Sequence, residues 1–139
     1  MAFTHGKATI FKMDSTNGGS LADISGYLTS VGFPRSADIP ETTTFGATYK
    51  TYISGFTDAT ISLEGNWDPT VDAMFAAHLG AANTVSYEYG PEGATNGVDV
   101  KFSGESILTS YEVSSGINDV TTFSAELQCS GAITRNTTW

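Results

Sequence analysis

Hydrophobic and polar residues alternate with a period of two along most of this chain, the pattern of strands that bury one face. The clearest case is the segment from Asp58 to Trp67. Ala59, Ile61, Leu63 and Trp67 point one way, and Thr60, Ser62, Glu64 and Asn66 the other. Near the end of the chain Phe123, Ala125, Leu127 and Cys129 alternate with Thr122, Ser124, Glu126 and Gln128 in the same manner. Further strands are predicted over Lys7–Met13, Leu21–Ile24, Tyr27 to about Asp38, Thr84–Tyr89, Val98–Phe102, Ile107–Ser114 and Val120–Cys129. Pro34 marks a bulge or an edge position. Asp14–Ser20, Gly90–Gly97 and Ser115–Asp119 have the composition of turns.

Two segments break the period. Asp68 is a good helix N-cap, Pro69 fits the first helical position, and Asp72 sits near the positive end. Val71, Phe75 and Leu79 recur at helical spacing with Met74 beside them, and Gly80 supplies a left-handed stop. One helix over about residues 69–79 is therefore predicted, packed on a sheet. The stretch from Ile39 to Thr57 carries Pro40, Gly46, Gly55 and several threonines. It reads as a long loop or hairpin excursion, longer than most connections in compact domains, and such loops are usually functional or disordered. Phe45, Tyr49 and Tyr52 argue against disorder. The fold class expected is mainly β: an antiparallel β-sandwich or part-barrel with one flanking α-helix, over residues 1–139 as a single domain.

Composition agrees. The 139 residues include 20 Thr, 15 Ser and 15 Gly but only six Leu, which suits strands better than helices. The net charge of −9 opposes a surface built to hold nucleic acid or to dock on an anionic membrane. A single cysteine, Cys129, excludes an intrachain disulfide and a Cys-rich zinc site. No apolar run approaches the roughly 18 residues that span a bilayer. The start, Met1 to Lys7, lacks the pattern of a signal peptide, so folding in a cytoplasm is expected.

Catalytic chemistry is hard to find. His5 lies near a terminus, and His78 sits at the helix end, where a cation is favourable. Cys129 shares the phase of core residues. The acids are scattered, no histidine pair has ligand spacing, and neither Gly18-Gly19 nor Gly90-Pro91-Glu92-Gly93 leads into a phosphate-binding Lys. No enzyme activity, metal or cofactor is expected. What remains is a sheet with a hydroxyl-rich second face, open edges, few lysines to guard them, and an aromatic excursion. Assembly through edges is the economical inference.

The residues from Glu41 to Gly46 and from Lys50 to Gly65, joined by Ser110–Val113 and Thr122–Glu126, are similar to those of the tail tube (major tail) proteins of long-tailed bacteriophages. The resemblance runs over roughly residues 2–131, with Ser54 where the family more often has proline. It implies a structural virion protein, a β-sandwich with one flanking helix, that forms hexameric rings stacked into a hollow tube. Each subunit would add strands to a barrel lining the lumen. DNA would pass through the tube without specific binding during genome ejection. The implied partners are further copies, the tape measure protein, and the tail tip and tail terminator proteins. The implied location is the virion tail, after assembly in the bacterial host cytoplasm. The excursion would make ring-to-ring contacts through Thr43, Thr44, Phe45, Tyr49, Lys50 and Tyr52, unless its aromatics pin it to its own domain. Glu64, Glu112 and Glu126 would face the lumen, although a one-residue register error would invert that face.

Rival readings are another virion β-protein (capsid decoration, tail terminator or baseplate), or a carbohydrate-binding module that stacks sugars on Trp67, Tyr87, Tyr89 or Tyr111. A small hydrolase would need a motif that the chain lacks.

Overall fold

The computed structural model describes residues 3–16 and 19–139. Met1 and Ala2, and Asn17 and Gly18 in the middle of the expected Asp14–Ser20 turn, lie outside the described residues. In chain order the elements are β1 (Ile10–Asp14), β2 (Leu21–Asp23), β3 (Leu28–Gly32), β4 (Arg35–Ala37), β5 (Thr57–Asn66), α1 (Pro69–His78), β6 (Val85–Gly90), β7 (Lys101–Ser114) and β8 (Thr122–Asn136). All the strands join one antiparallel sheet in the order β2-β1-β6-β7-β8-β5-β3, with β4 paired to the start of β5.

The sheet curls into a half-barrel. Phe33, just past β3 at one end, packs against Tyr87, Tyr89 and Phe102 of β6 and β7, with ring centroids 5.6–6.1 Å apart. The concave face carries the core: Phe11, Met13, Ile61, Leu63, Val85, Tyr87, Leu108, Phe123, Ala125 and Leu127. Helix α1 fills one end of this face. Phe75 stacks on Tyr111 at 5.0 Å and tilts against Phe123 at 5.3 Å. Each fully buried apolar side chain contributes about 1.5–3 kcal/mol, so Val71 and Phe75 outweigh the intrinsic helix propensity of a ten-residue segment.

The expected period-two pairing in the central strands is present. Ile61 pairs with Leu127 and Leu63 with Ala125, and their side chains are buried. Several boundaries differ, each for a local reason. A 3-10 turn at Gly6–Ala8 replaces the start of the first expected strand, capped by His5 Nδ1, which accepts from the Lys7 amide. The long strand expected from Tyr27 to Asp38 breaks into β3 and β4 at Pro34, which has no N–H to give, while its carbonyl accepts from the Thr60 amide at 3.1 Å. The strand expected at Val98–Phe102 begins only at Lys101, with Val98–Val100 in the preceding loop, and runs without a break through Ile107–Ser114 as one strand, β7. It has a partner throughout because β8 runs on to Asn136, seven residues past its expected end. Gly131, at φ 84°, lies where β8 bulges opposite Gly104.

The helix is capped as expected, with Asp68 Oδ1 accepting from the Thr70 amide at 2.8 Å and Gly80 at φ 74° beyond it. Its apolar stripe differs. Leu79 lies past the end and is half exposed, and His78 takes the last buried position at 3% exposure. The imidazole Nε2 donates to the Asp14 carbonyl. His78 is therefore a buried tether between α1 and β1, not a solvated side chain at a helix end.

Candidate assembly surfaces

The excursion is an irregular hairpin over residues 38–56, and Thr57 already belongs to β5. Backbone hydrogen bonds close its stem: Asp38 N to Phe56 O, Gly55 N to Asp38 O, Ile53 N to Pro40 O and Thr42 N to Thr51 O, at 2.6–3.0 Å. Glu41 and Tyr52 form a bridge between the last two of these. Threonines hold the distal part. The Thr42 and Thr51 hydroxyls meet at 2.8 Å, and Thr43 Oγ1 accepts from the Thr51 amide. A Cβ at Gly55 would lie 2.9 Å from Asp38 O, so the crossing at the stem requires glycine. Every residue from 34 to 58 is exposed. Phe45, Tyr49 and Phe56 are more than four-fifths exposed, and Tyr52 half so. The aromatics therefore do not pin the loop to its own domain. Thr43, Thr44, Phe45, Tyr49, Lys50 and Tyr52 sit together on one projecting arm.

The three acids singled out in the sequence also come together. Glu64 on β5 and Glu112 on β7 both pair with Ser124 on the intervening β8. Glu126, one step along the same face, pairs with Ser62 and Ser110. Ser30 on β3 extends the first row by pairing with Glu64. Because Leu63, Ala125 and Leu127 are buried on the concave side, this convex face presents carboxylates and hydroxyls to solvent. Among residues 28–32, 57–66, 107–114 and 122–128 there is no Lys, Arg or His.

The same four strands end in two open edges. At one side β3 is the last strand of the sheet. At the other, β6 accompanies β7 only from Phe102 to Ser106, so Ile107–Ser114 pairs with β8 alone. Both edges offer main-chain donors and acceptors to another strand. Gly65 brings β3 close to β5: a Cβ there would collide with the Tyr27 carbonyl.

One further feature escaped the reading of the sequence. The β7–β8 connection, expected to be a plain turn at Ser115–Asp119, carries a fully exposed Ile117 and an exposed Val120, with Val113 beside them on β7. The available signal was two large aliphatics inside a Ser-Gly-Asn-Asp segment.

The residues that could have served other chemistry are engaged. Asp72 accepts from Tyr111 Oη at 2.8 Å and from Trp67 Nε1 at 3.2 Å. Tyr87 is buried, and Tyr89 stacks on Phe102. None of the four suggested sugar platforms is an exposed ring: Tyr87 is buried, and Trp67, Tyr89 and Tyr111 are half-buried. Cys129 is half-buried at the margin of the core, with Sγ 3.6 Å from Tyr87 Oη. Burial pushes its thiol above the ordinary range, which disfavours the thiolate. Among the described residues no three His, Cys, Asp or Glu side chains gather as metal ligands, and no helix is long and apolar enough to cross a membrane.

Comparison with known proteins gives this arrangement a context. The fold matches the tail of a gene transfer agent particle solved with C6 symmetry, at TM-score 0.81 and 16% identity, over 96% of this chain and 99% of that one. It matches the SPP1 tail tube at TM-score 0.79 and 10% identity, over 97% and 80%. It also matches a chain of the sheath-tube complex of an extracellular contractile injection system, at TM-score 0.68 and 15% identity, over 97% and 92%. These identities establish a shared fold. Among curated protein sequences nothing matches. A family model described as phage tail tube protein matches residues 3–135, nearly the whole chain. The chain belongs to the phage tail tube protein family.

Proposed function

We propose that this chain is the building block of a phage tail tube, in which six copies close a ring through the edges of β3 and β7 and the rings stack through the excursion. The observation that carries the reading is the four-stranded segment β3-β5-β8-β7, open at both edges, with an apolar face inward and an acidic, hydroxyl-rich face outward. Rotation about a tube axis leaves strand direction along that axis unchanged. The four strands alternate in direction, so β7 of one copy meets β3 of the next antiparallel, as every pair within the subunit already does. Closure around the ring then removes both open edges. Six-fold order follows the C6 symmetry of the gene transfer agent tail.

Face parity supports an acidic lumen lining. When the convex face of these strands turns inward, Glu64, Glu112 and Glu126 face the channel. Six copies of −9 give −54 formal charges per ring. A basic lining would hold DNA through phosphate contacts and counterion release. A lining of Glu, Ser and Thr holds no phosphate, and DNA slides. The work is mechanical and needs no catalysis, cofactor or specific DNA contact. The expected partners are the tape measure protein inside the tube and the tail tip and terminator proteins at its ends, with assembly in the host cytoplasm before the tail joins the virion.

The test is electron microscopy of the purified protein across a concentration series. Rings with a central hole, or hollow filaments, are expected. A monomer that stays single even with tail-tip proteins added contradicts the reading and favours a decoration or baseplate role. Replacing Glu64, Glu112 and Glu126 together with Lys is expected to leave rings intact and slow genome ejection. Unchanged ejection removes the acid-lumen part.

A further inference from the structure

Head-to-tail stacking is a heterologous contact, so it needs two different patches at opposite ends of the subunit. The excursion supplies one. Strand β5 begins at Thr57, where the excursion ends, and finishes at Asn66, next to Trp67, whose amide donates to Thr121 O in the β7–β8 tip. Its ten residues separate excursion and tip by on the order of 30 Å. When identical subunits point the same way along an axis, the excursion of one faces the tip of the next.

The two ends match in chemistry as well as position. Both bear exposed large apolar side chains: Phe45, Tyr49 and Phe56 at one end, and Ile117, Val120 and the half-exposed Val113 at the other. Their outermost charges are opposite, although the stem of the excursion also carries Asp38 and Glu41. Between residues 42 and 56 the excursion contains Lys50 and no acid. The tip contains Asp119, and no Lys, Arg or His occurs between residues 102 and 134. The tip also has a set shape, with the Asp119 amide donating to Gly116 O at 3.2 Å and the Ser115 and Thr121 hydroxyls 3.4 Å apart across its base.

We propose that the 115–121 tip is the receptor on one subunit for the excursion of a second copy in the next ring, with Ile117 and Val120 against Phe45 and Tyr49 and with Asp119 near Lys50. This rests on the reading that rings form and stack. Aromatic anchors packed on an aliphatic patch carry the contact. The charge pair orients it and adds little strength at an exposed site.

The experiment uses the full chain with Cys129→Ser, carrying Phe45→Cys and Ile117→Cys together, assembled and then treated with a short bismaleimide. A covalent ladder of dimers, trimers and longer species on a denaturing gel is expected, because each subunit links forward through one site and backward through the other. Ile117→Asp is expected to give single rings and at least a tenfold loss of tubes at fixed protein concentration. Lys50→Glu and Asp119→Lys are each expected to weaken stacking, and the double variant to recover it. Normal tubes with Ile117→Asp and no ladder from assembled double-cysteine tubes overturn this contact while leaving the tube intact. Failure of the unsubstituted chain to form rings overturns the tube reading, and this contact with it.

Discussion

The excursion and the β5–β8 pair are built from similar residues and have opposite fates. Both are rich in Thr, Ser and Gly, and both carry large apolar side chains. In the strands, strict alternation places Ile61, Leu63, Phe123 and Leu127 on one face, and that face is buried. In the excursion Phe45, Tyr49, Tyr52, Ile53 and Phe56 follow no period of two, and all stand in solvent. The aromatic content of the two regions does not separate them; periodicity does. A periodic set can be covered by the subunit's own core. An aperiodic set on a projecting stem can only be covered by another molecule. Large apolar side chains left exposed together on one arm mark an interaction site. One region therefore holds the subunit together, and the other is available to hold subunits to each other.

The contrast predicts how substitutions divide between folding and assembly. The largest effect on folding belongs to Phe75→Ala, which empties the space between Tyr111 and Phe123. A loss of about 3–5 kcal/mol is expected in chemical denaturation. Next comes Asp72→Ala, which strips partners from both Tyr111 and Trp67. The same measurement should show a loss of about 1–3 kcal/mol, because a hydrogen bond to a charged acceptor disappears and partly buried donors are left unpaired.

A smaller effect appears at high pH. Burial, then the bond to Asp72, pushes the Tyr111 hydroxyl up to about 12. A raised pKa in the folded state means the contribution is intact below the ordinary tyrosine value near 10 and is lost as pH rises through about 12. Denaturation midpoints between pH 10 and 12 should fall more steeply for the unsubstituted chain than for Tyr111→Phe. Parallel slopes would show that this hydroxyl has no part in holding α1.

The smallest effect on folding should come from the largest change in sequence. Deleting Thr43–Thr51 removes Phe45 and Tyr49, which touch no core residue, so the stability change should stay below about 0.5 kcal/mol. The truncated chain should remain a monomer or a single ring by light scattering and form no tubes. A large loss of stability would mean that the arm does support its own fold, and the comparison above would fail.

Much of this was legible in the sequence where one residue's environment repeats. Alternation revealed the central strands and the face shared by Glu64, Glu112 and Glu126. Asp68, Pro69 and Gly80 revealed the helix, because caps are local chemistry. The misreadings came from non-local partners. The strand expected to end at Cys129 runs on to Asn136 because β7 is there to pair with it. His78 looked like a surface cation because the Asp14 carbonyl that receives it is 64 residues away. The tip at Ile117 looked like a turn because turn composition conceals two aliphatics whose exposure only the fold reveals. The excursion was visible as an interruption of the pattern, and its hairpin stem was not, since that rests on backbone bonds that any side chain permits.

The most direct test of the account is a helical reconstruction of tubes assembled from this chain. It predicts that β7 of each subunit lies antiparallel beside β3 of its neighbour in a six-membered ring, with Glu64, Glu112 and Glu126 at the inner radius. A hollow tube in which those carboxylates face outward, or in which the β3 and β7 edges stay unpaired, would contradict it.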